Sequence, residues 1–189
     1  VNLFRRFFRD CRESATGLEL LLAACGLPAG SVRSIDFEAP AEVSRHFKVA
    51  PHLDVGISFA EGSCSYAGIE SKFAEPYGER KLSVLNRVYL RQTNLWEGWP
   101  NLRVFAESLT SSGAAGSRFD AAQIVKHLLG LRRLHGRSFH LVYLWFDVPG
   151  EAPAASHASE IESFARILDQ DGVPFISRTY QEVFSFLRH

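Results

Sequence analysis

An acid and a lysine lie two residues apart in an apolar part of the chain, in the stretch GIESKF that begins at Gly68. Side chains alternate along a β-strand, so Glu70 and Lys72 share one face while Ser71 points to the other. A strand that is otherwise apolar has no packing reason to carry both charges on one face. The pair is therefore a candidate for chemistry.

A second carboxylate, Asp54, lies in the preceding strand-like segment. Residues 53–59 alternate between apolar and polar types, residues 66–73 form the next such run, and the turn residues EGS lie between them. A hairpin that turns near Gly62 would place Asp54 almost opposite Glu70, because both lie at the same separation from Gly62. This pairing predicts two carboxylates and an ammonium group together at one end of a sheet.

This constellation predicts a site for a divalent cation. Two carboxylates a few ångströms apart repel each other unless a cation joins them. Oxygen ligands without a cysteine or histidine cluster suit Mg²⁺ or Mn²⁺ rather than structural zinc. We expect Asp54, Glu70 and the backbone carbonyl of Ser71 to be the ligands. Lys72 would orient or deprotonate a water and stabilise charge on a phosphate, so the expected reaction is phosphodiester hydrolysis.

The same residues resemble a known nuclease signature. The segments PHLD, ending at Asp54, and ESK, ending at Lys72, resemble the P-D…(D/E)-x-K motif of the PD-(D/E)XK nuclease superfamily, which has a restriction-endonuclease-like fold. The longer stretch GIESKFAEPY is similar to an uncharacterised bacterial branch. The resemblance covers residues 50–145, and the proline departs from the motif by lying three positions before Asp54. It implies an αβββαβ core, Mg²⁺ dependence, a nucleic-acid substrate, Asp54 and Glu70 as metal ligands and Lys72 as the catalytic lysine.

A further match lies on a helix later in the chain. Gln123 and His127 resemble the Q-x-x-x-Y motif of RecB-type members, with histidine in place of tyrosine. Positions i and i+4 share a helical face, so both side chains could reach the phosphate or the lysine. The resemblance implies a catalytic role for Gln123 and a nucleic-acid contact for His127. A glutamate of the first helix completes the metal site in some members, and Glu13 and Glu19 are both candidates.

Basic residues away from this constellation are candidates for phosphate contacts. Lys+Arg and Asp+Glu both number 21, which argues against broad attraction to DNA but leaves a local basic face open. The candidate phosphate-binding residues are Arg5, Arg6, Arg9 and Arg12 in the first helix, and Arg132, Arg133 and Arg137 later in the chain. The alternative for both groups is a solvated helix face. Trp96 and Trp99 are interpreted as packing residues rather than as platforms for bases.

Hydrophobic periodicity predicts the elements that carry these residues. Beside the 53–59 and 66–73 hairpin, it predicts helices at 1–25, 82–97, 119–134, 157–168 and 180–187, short strands at 35–38 and 174–177, a strand buried on both faces at 139–148, and an exposed loop at 111–117. This order predicts an α/β fold with a mixed central sheet flanked by helices. The length suits a single domain over residues 1–189.

The composition bears on the expected cellular location of the protein and on the state of its cysteines. No apolar run is long enough to span a bilayer, and no secretory signal pattern opens the chain, so we expect no membrane contact and a cytoplasmic location. Cys11, Cys25 and Cys64 are odd in number and widely spaced. They are interpreted as thiols in a reducing compartment rather than as disulfide or metal partners.

Three functional interpretations remain open. The leading one is a Mg²⁺- or Mn²⁺-dependent nuclease, with DNA as the expected substrate. The second is the same fold with a silent site, acting as a binding module for nucleic acid or protein, and the third is a hydrolase of another phosphoester. A short D…E-x-K pattern also arises by chance as a solvated salt bridge of little energetic value. The fold cannot separate these alternatives, and the sequence does not decide between a monomer and a homodimer.

Overall fold

The computed structural model describes residues 15–45, 47, 50–78, 83–111 and 117–188. In chain order, its elements are helix α1 (Ala15–Ala24), strands β1 (Gly30–Pro40), β2 (His52–Gly62) and β3 (Tyr66–Lys72), two 3₁₀ turns (Glu75–Tyr77 and Thr93–Trp96), helices α2 (Pro100–Ser108) and α3 (Ala121–His135), strand β4 (Phe139–Trp145), helix α4 (Ala152–Gln170), strand β5 (Phe175–Thr179) and helix α5 (Tyr180–Leu187).

The strands form one mixed sheet in the spatial order β1-β2-β3-β4-β5. The first three strands are antiparallel, with a short turn between β2 and β3, whereas β3, β4 and β5 run parallel. Parallel neighbours need a crossover connection, and the segments that contain α2 with α3, and α4, supply the two crossovers. The predicted α/β architecture, with a mixed central sheet flanked by helices, is confirmed.

Each face of the sheet carries its own hydrophobic core. Along β4, Leu141, Tyr143 and Trp145 belong to the core on the side of α2, α3 and α4, while Val142 and Leu144 belong to the core under α1 and α5. All five side chains are buried, as expected for an inner parallel strand covered on both faces. The prediction that this strand is buried on both faces is confirmed.

Helix α3 is fixed over the sheet by its cap and by one close contact. The Asp120 carboxylate accepts a hydrogen bond from the backbone N–H of Gln123 (3.0 Å) and so caps the first turn. Further along, a Cβ placed on Gly130 would lie 2.1 Å from the carbonyl oxygen of Ala41. A glycine at this position therefore lets the helix approach the segment after β1, and the approach sets the height of Gln123 and its neighbours above β3.

One predicted helix is wrong. Residues 83–92 are irregular with turns at 87–91, the 3₁₀ turn at Thr93–Trp96 follows, and the helix of this region is α2, which starts at Pro100. Proline is well suited to the first turn of a helix, and the Asp171 carboxylate accepts a hydrogen bond from the Leu102 N–H at 2.7 Å. The first predicted helix is present over residues 15–24, and its earlier part lies outside the described residues.

Several smaller predictions can also be compared with the structure. Trp96 and Trp99 are buried, in line with the packing interpretation. Cys25 and Cys64 are free, buried thiols, and burial raises the pKa of Cys25 to about 12, whereas Cys11 lies outside the described residues. Among the helices that the structure describes, none has the length and apolar character to cross a bilayer.

Candidate functional site

The β2–β3 hairpin brings Asp54 and Glu70 to the same end of the sheet. The antiparallel register of β2 and β3 ends with the pair Val55 and Ile69, so Asp54 and Glu70 are the next residues on the two strands. The backbone N–H of Ser71 donates a hydrogen bond of 2.7 Å to Oδ2 of Asp54, which ties the carboxylate to β3. The pairing predicted from the sequence spacing is therefore present.

Asp54 lies where the strand pattern of β2 is interrupted. Residues i and i+2 of a regular strand face the same side, yet Leu53 belongs to the core under α3 and Val55 to the core under α1. The register places Glu38 of β1 opposite Asp54, and Glu38 has a φ of 53°. A non-glycine residue in the left-handed region is unfavourable by about 1–3 kcal/mol, and such residues concentrate at functional sites. Because of this irregularity, the Asp54 side chain is packed in neither of the two hydrophobic cores.

The two carboxylates are close enough to affect each other electrostatically. Burial raises the pKa of Asp54, and the negative charge of Glu70 raises it further, while the Ser71 N–H and the Lys72 ammonium partly offset both effects. A cation between the carboxylates would remove the repulsion and favour the ionised form of Asp54. The raised pKa is therefore what a metal-free pair of carboxylates at this site should show.

Glu70 is the centre of the constellation, with its side chain only 2 % exposed. Oε1 accepts hydrogen bonds from Nζ of Lys72 (2.5 Å) and Nε2 of Gln123 (2.8 Å), while Oε2 lies 3.2 Å from Nε2 of His127. Burial alone would raise the pKa of Glu70, but the contacts with His127 and Lys72 outweigh it and lower that pKa. Glu70 is thus held as a carboxylate in a buried position.

The second oxygen of Glu70 retains ligand capacity. Within the described part of the chain, Oε2 has no hydrogen bond of acceptable geometry, and neither do the two ring nitrogens of His127. The 3.2 Å separation is therefore a close electrostatic contact and not a well-formed hydrogen bond. Because Oε1 already accepts two donors, Oε2 is the atom with which Glu70 could bind a cation.

The backbone of Ser71 is directed toward the same place. The Lys72 carbonyl accepts a hydrogen bond from the N–H of Phe146, just beyond β4, and successive carbonyls of a strand point in opposite directions. The Ser71 carbonyl therefore points toward β2, the side on which its N–H meets Asp54. The Ser71 hydroxyl lies 2.6 Å from the Tyr180 hydroxyl, which anchors this end of β3 to α5.

A cleft of about 350 Å³ opens between the start of β2 and α3, and its lining includes side chains that contact Glu70 but not Glu70 or Asp54. Lys72, Gln123 and His127 line it, and so do five residues for which the sequence predicted no catalytic role: Pro51, His52, Ser83, Asp120 and Lys126. His52 is exposed. Lys126 directly precedes His127, and that position between two motif residues was the signal that could have identified it.

His127 occupies a different environment from the one that the resemblance implied. Its ring is 1 % exposed and lies against Glu70, so it contacts the carboxylate rather than an open surface. Glu19 is exposed and lines a hollow with Glu61 and Gly62, at the opposite end of β2 from Asp54. Seven residues of strand separate Glu61 from Asp54, about 23 Å at the usual rise, so the structure does not bring Glu19 to the site.

The predicted phosphate-binding arginines are not gathered at the cleft. Arg132 donates to the Glu97 carbonyl (3.0 Å) and lies over the Trp99 ring (4.9 Å), and Arg133 pairs with the Glu42 carboxylate (2.6 Å). Both belong to the last turn of α3, about 14 Å along the helix from Gln123. Arg5, Arg6, Arg9, Arg12 and Glu13 lie outside the described residues. A nucleic-acid contact by any of these arginines remains a prediction.

The cation site would depend on few side chains. Over the residues that have described positions, no group of three or more histidine, cysteine, aspartate or glutamate side chains is arranged to hold a metal ion. The candidate ligands are two carboxylates and one carbonyl, so water and substrate oxygens would have to complete the coordination. This is the usual situation for Mg²⁺, which retains several waters in proteins.

No protein-family model, curated protein or solved structure matches this chain. Its function must therefore be inferred from the geometry of the site.

Proposed function

We propose that this protein is a Mg²⁺-dependent nuclease of the PD-(D/E)XK type that hydrolyses phosphodiester bonds in nucleic acid, with DNA as the expected substrate. The observation that carries the proposal is the convergence of four side chains that sequence spacing had singled out: Lys72, Gln123 and His127 surround Glu70. Asp54 lies opposite on the neighbouring strand. The chain order of a helix, three antiparallel strands, helices and a parallel strand supports a restriction-endonuclease-like core.

The residues present fit a hard divalent cation. Asp54, Oε2 of Glu70 and the Ser71 carbonyl would hold it, and Mn²⁺ could replace Mg²⁺ because both accept oxygen ligands. When bound, the ion supplies a Lewis acid for the phosphate and lowers the pKa of a coordinated water. Lys72 donates to negative charge that develops on the phosphate, and Gln123 holds Oε1 of Glu70 in place.

A catalytically silent binding module is the second candidate, and one observation favours it. Nζ of Lys72 lies 2.5 Å from Oε1 of Glu70, and the pair is largely buried. This ion pair satisfies both charges without a metal, so the same arrangement would be stable in a domain that binds nucleic acid or protein but cleaves nothing. The two candidates differ in one respect: only a nuclease needs the ion pair to open toward a cation and a phosphate.

Cleavage assays of the unmodified protein in Mg²⁺, Mn²⁺ or EDTA, called the metal panel below, test the proposal. We expect cleavage of DNA in Mg²⁺ or Mn²⁺ and none in EDTA, because Asp54 and Glu70 repel each other and cannot position a phosphate without a cation. Single-stranded DNA, duplex DNA, RNA and a small phosphodiester should be assayed in parallel by gel and by product release. Absence of metal-dependent cleavage on every nucleic acid would reject the nuclease and favour the silent module. Hydrolysis of the small ester alone would indicate a different phosphoesterase.

A further inference from the structure

Lys126 lies on the wall of the candidate cleft without an assigned role. It follows Gln123 by three positions on α3, and residues at this spacing share a helical face. Both side chains line the cleft of about 350 Å³, together with Lys72 and His52. Lys126 is half-buried, so its long stem is covered while the ammonium can reach the cleft.

The charge of Lys126 is not neutralised by a neighbour that the structure describes. Lys72 is paired with Glu70, but none of the ion pairs found among the described residues involves Lys126. The carboxylate that lines the cleft is Asp120. It already accepts hydrogen bonds from the backbone N–H of Gln123 (3.0 Å) and the hydroxyl of Ser83 (3.0 Å). An anion in the cleft would therefore meet an ammonium group that has no ion-pair partner among the described residues.

The cleft also has room for more than one phosphate. Its volume is about 350 Å³, whereas a water molecule in the liquid takes about 30 Å³. A phosphate at the cation site would lie beside Lys72, and Lys126 on the same cleft supplies a second ammonium group for a neighbouring phosphate. Lysine binds phosphate as a point charge, and such contacts position a nucleic-acid strand without reading its sequence.

We infer that Lys126 anchors a second phosphate of the same strand, next to the one that is cleaved. The inference rests on the proposed function and deepens it, because it makes the substrate a polynucleotide strand and not an isolated phosphoester. Lys126 is a positioning residue in this account, since it holds the strand and does not touch the reacting atoms.

The test measures binding in EDTA, so that it does not depend on cleavage. Anisotropy of fluorescein-labelled single-stranded and duplex oligonucleotides would be followed over a range of NaCl concentrations. For Lys126→Ala we expect affinity about tenfold weaker at low salt, and a slope of log K against log salt shallower by about 0.7–0.9, the value for one lost phosphate contact. Lys126→Arg should retain the slope. Arg166→Ala is the matched control, because Arg166 is 67 % exposed on α4 and should leave the slope unchanged.

A scan of neutral linkages identifies the contact. Each oligonucleotide in this set carries a single methylphosphonate at a different position along the strand. The parent protein should bind less tightly to the one whose methylphosphonate replaces the phosphate that Lys126 contacts. That methylphosphonate should not weaken the binding of the Lys126→Ala protein any further. The inference is overturned if Lys126→Ala keeps the parent slope and linkage profile, or if no oligonucleotide binds the parent protein. If the slope changes as expected but Mg²⁺ supports no cleavage, the nuclease proposal fails while the phosphate anchor stands.

Discussion

Replacing Glu70 with glutamine should lower Mg²⁺-dependent cleavage by at least about a thousandfold, a loss of about 4 kcal/mol in transition-state stabilisation. Glutamine has nearly the same shape, and its carbonyl oxygen can still accept from Lys72 and Gln123 at the Oε1 position. It cannot present a charged second oxygen to a cation. Initial rates on the best substrate from the metal panel, at saturating Mg²⁺, measure the effect.

Glu75→Gln provides the control for this loss. Glu75 is a nearby carboxylate that accepts the Phe73 N–H at 2.7 Å, a bond that glutamine can also accept, and it is not a proposed ligand. Its rate should stay within a few-fold of the parent rate, and thermal unfolding of both variants would show whether the fold is retained. Cleavage by Glu70→Gln at the parent rate, or an equal loss in Glu75→Gln, would reject Glu70 as the ligand.

Replacing Gly130 with alanine should destabilise the protein by about 1–3 kcal/mol, the usual cost of an added methyl group in a packed position. In an exposed helix interior, glycine to alanine stabilises by about 1 kcal/mol. At this position the added Cβ would lie 2.1 Å from the Ala41 carbonyl oxygen and 2.8 Å from the Ala41 Cβ. Either α3 or the segment after β1 must move, and the contacts of α3 with Glu70 would move with it.

Urea denaturation of the parent and variant proteins would measure this difference as a change in the unfolding midpoint. Gly78→Ala is the control, because Gly78 has a negative φ of −85° and a Cβ there would meet no described atom within 4 Å. That substitution should change stability by less than about 0.5 kcal/mol. A Gly130→Ala protein as stable as the parent, or more stable, would show that α3 does not approach Ala41 as described.

The sequence predicted the centre of the candidate site because that centre depends on two simple periodicities. A hairpin with its turn near Gly62 predicts the observed register of Val55 with Ile69, which brings the neighbouring Asp54 and Glu70 to one end of the sheet. The four-residue repeat of a helix correctly placed Gln123 and His127 on one face, and that face lies over Glu70. Both are local rules, so neither needed knowledge of the rest of the fold.

The features that the sequence did not predict depend on tertiary contacts. Leu85, Leu95 and Trp96 are buried although they lie in an irregular segment, so apolar residues in this region do not imply the helix predicted over 82–97. The left-handed conformation of Glu38 leaves no signal, because glutamate is not a residue type that marks such positions. The spacing of Lys126 from Gln123 places both on one helical face, but its position on the cleft depends on how closely α3 approaches β2.

Binding of Mn²⁺, measured by electron paramagnetic resonance of the free ion, tests the central claim most directly, because it requires neither a substrate nor turnover. The account predicts saturable binding to the parent protein and much weaker binding to both Asp54→Asn and Glu70→Gln, since each removes one of the two charged ligands. The pKa of Asp54, which burial and Glu70 raise, should fall when the ion binds. Equal Mn²⁺ binding by the parent and both variants, or no binding by the parent, would contradict the claim that Asp54 and Glu70 form a cation site.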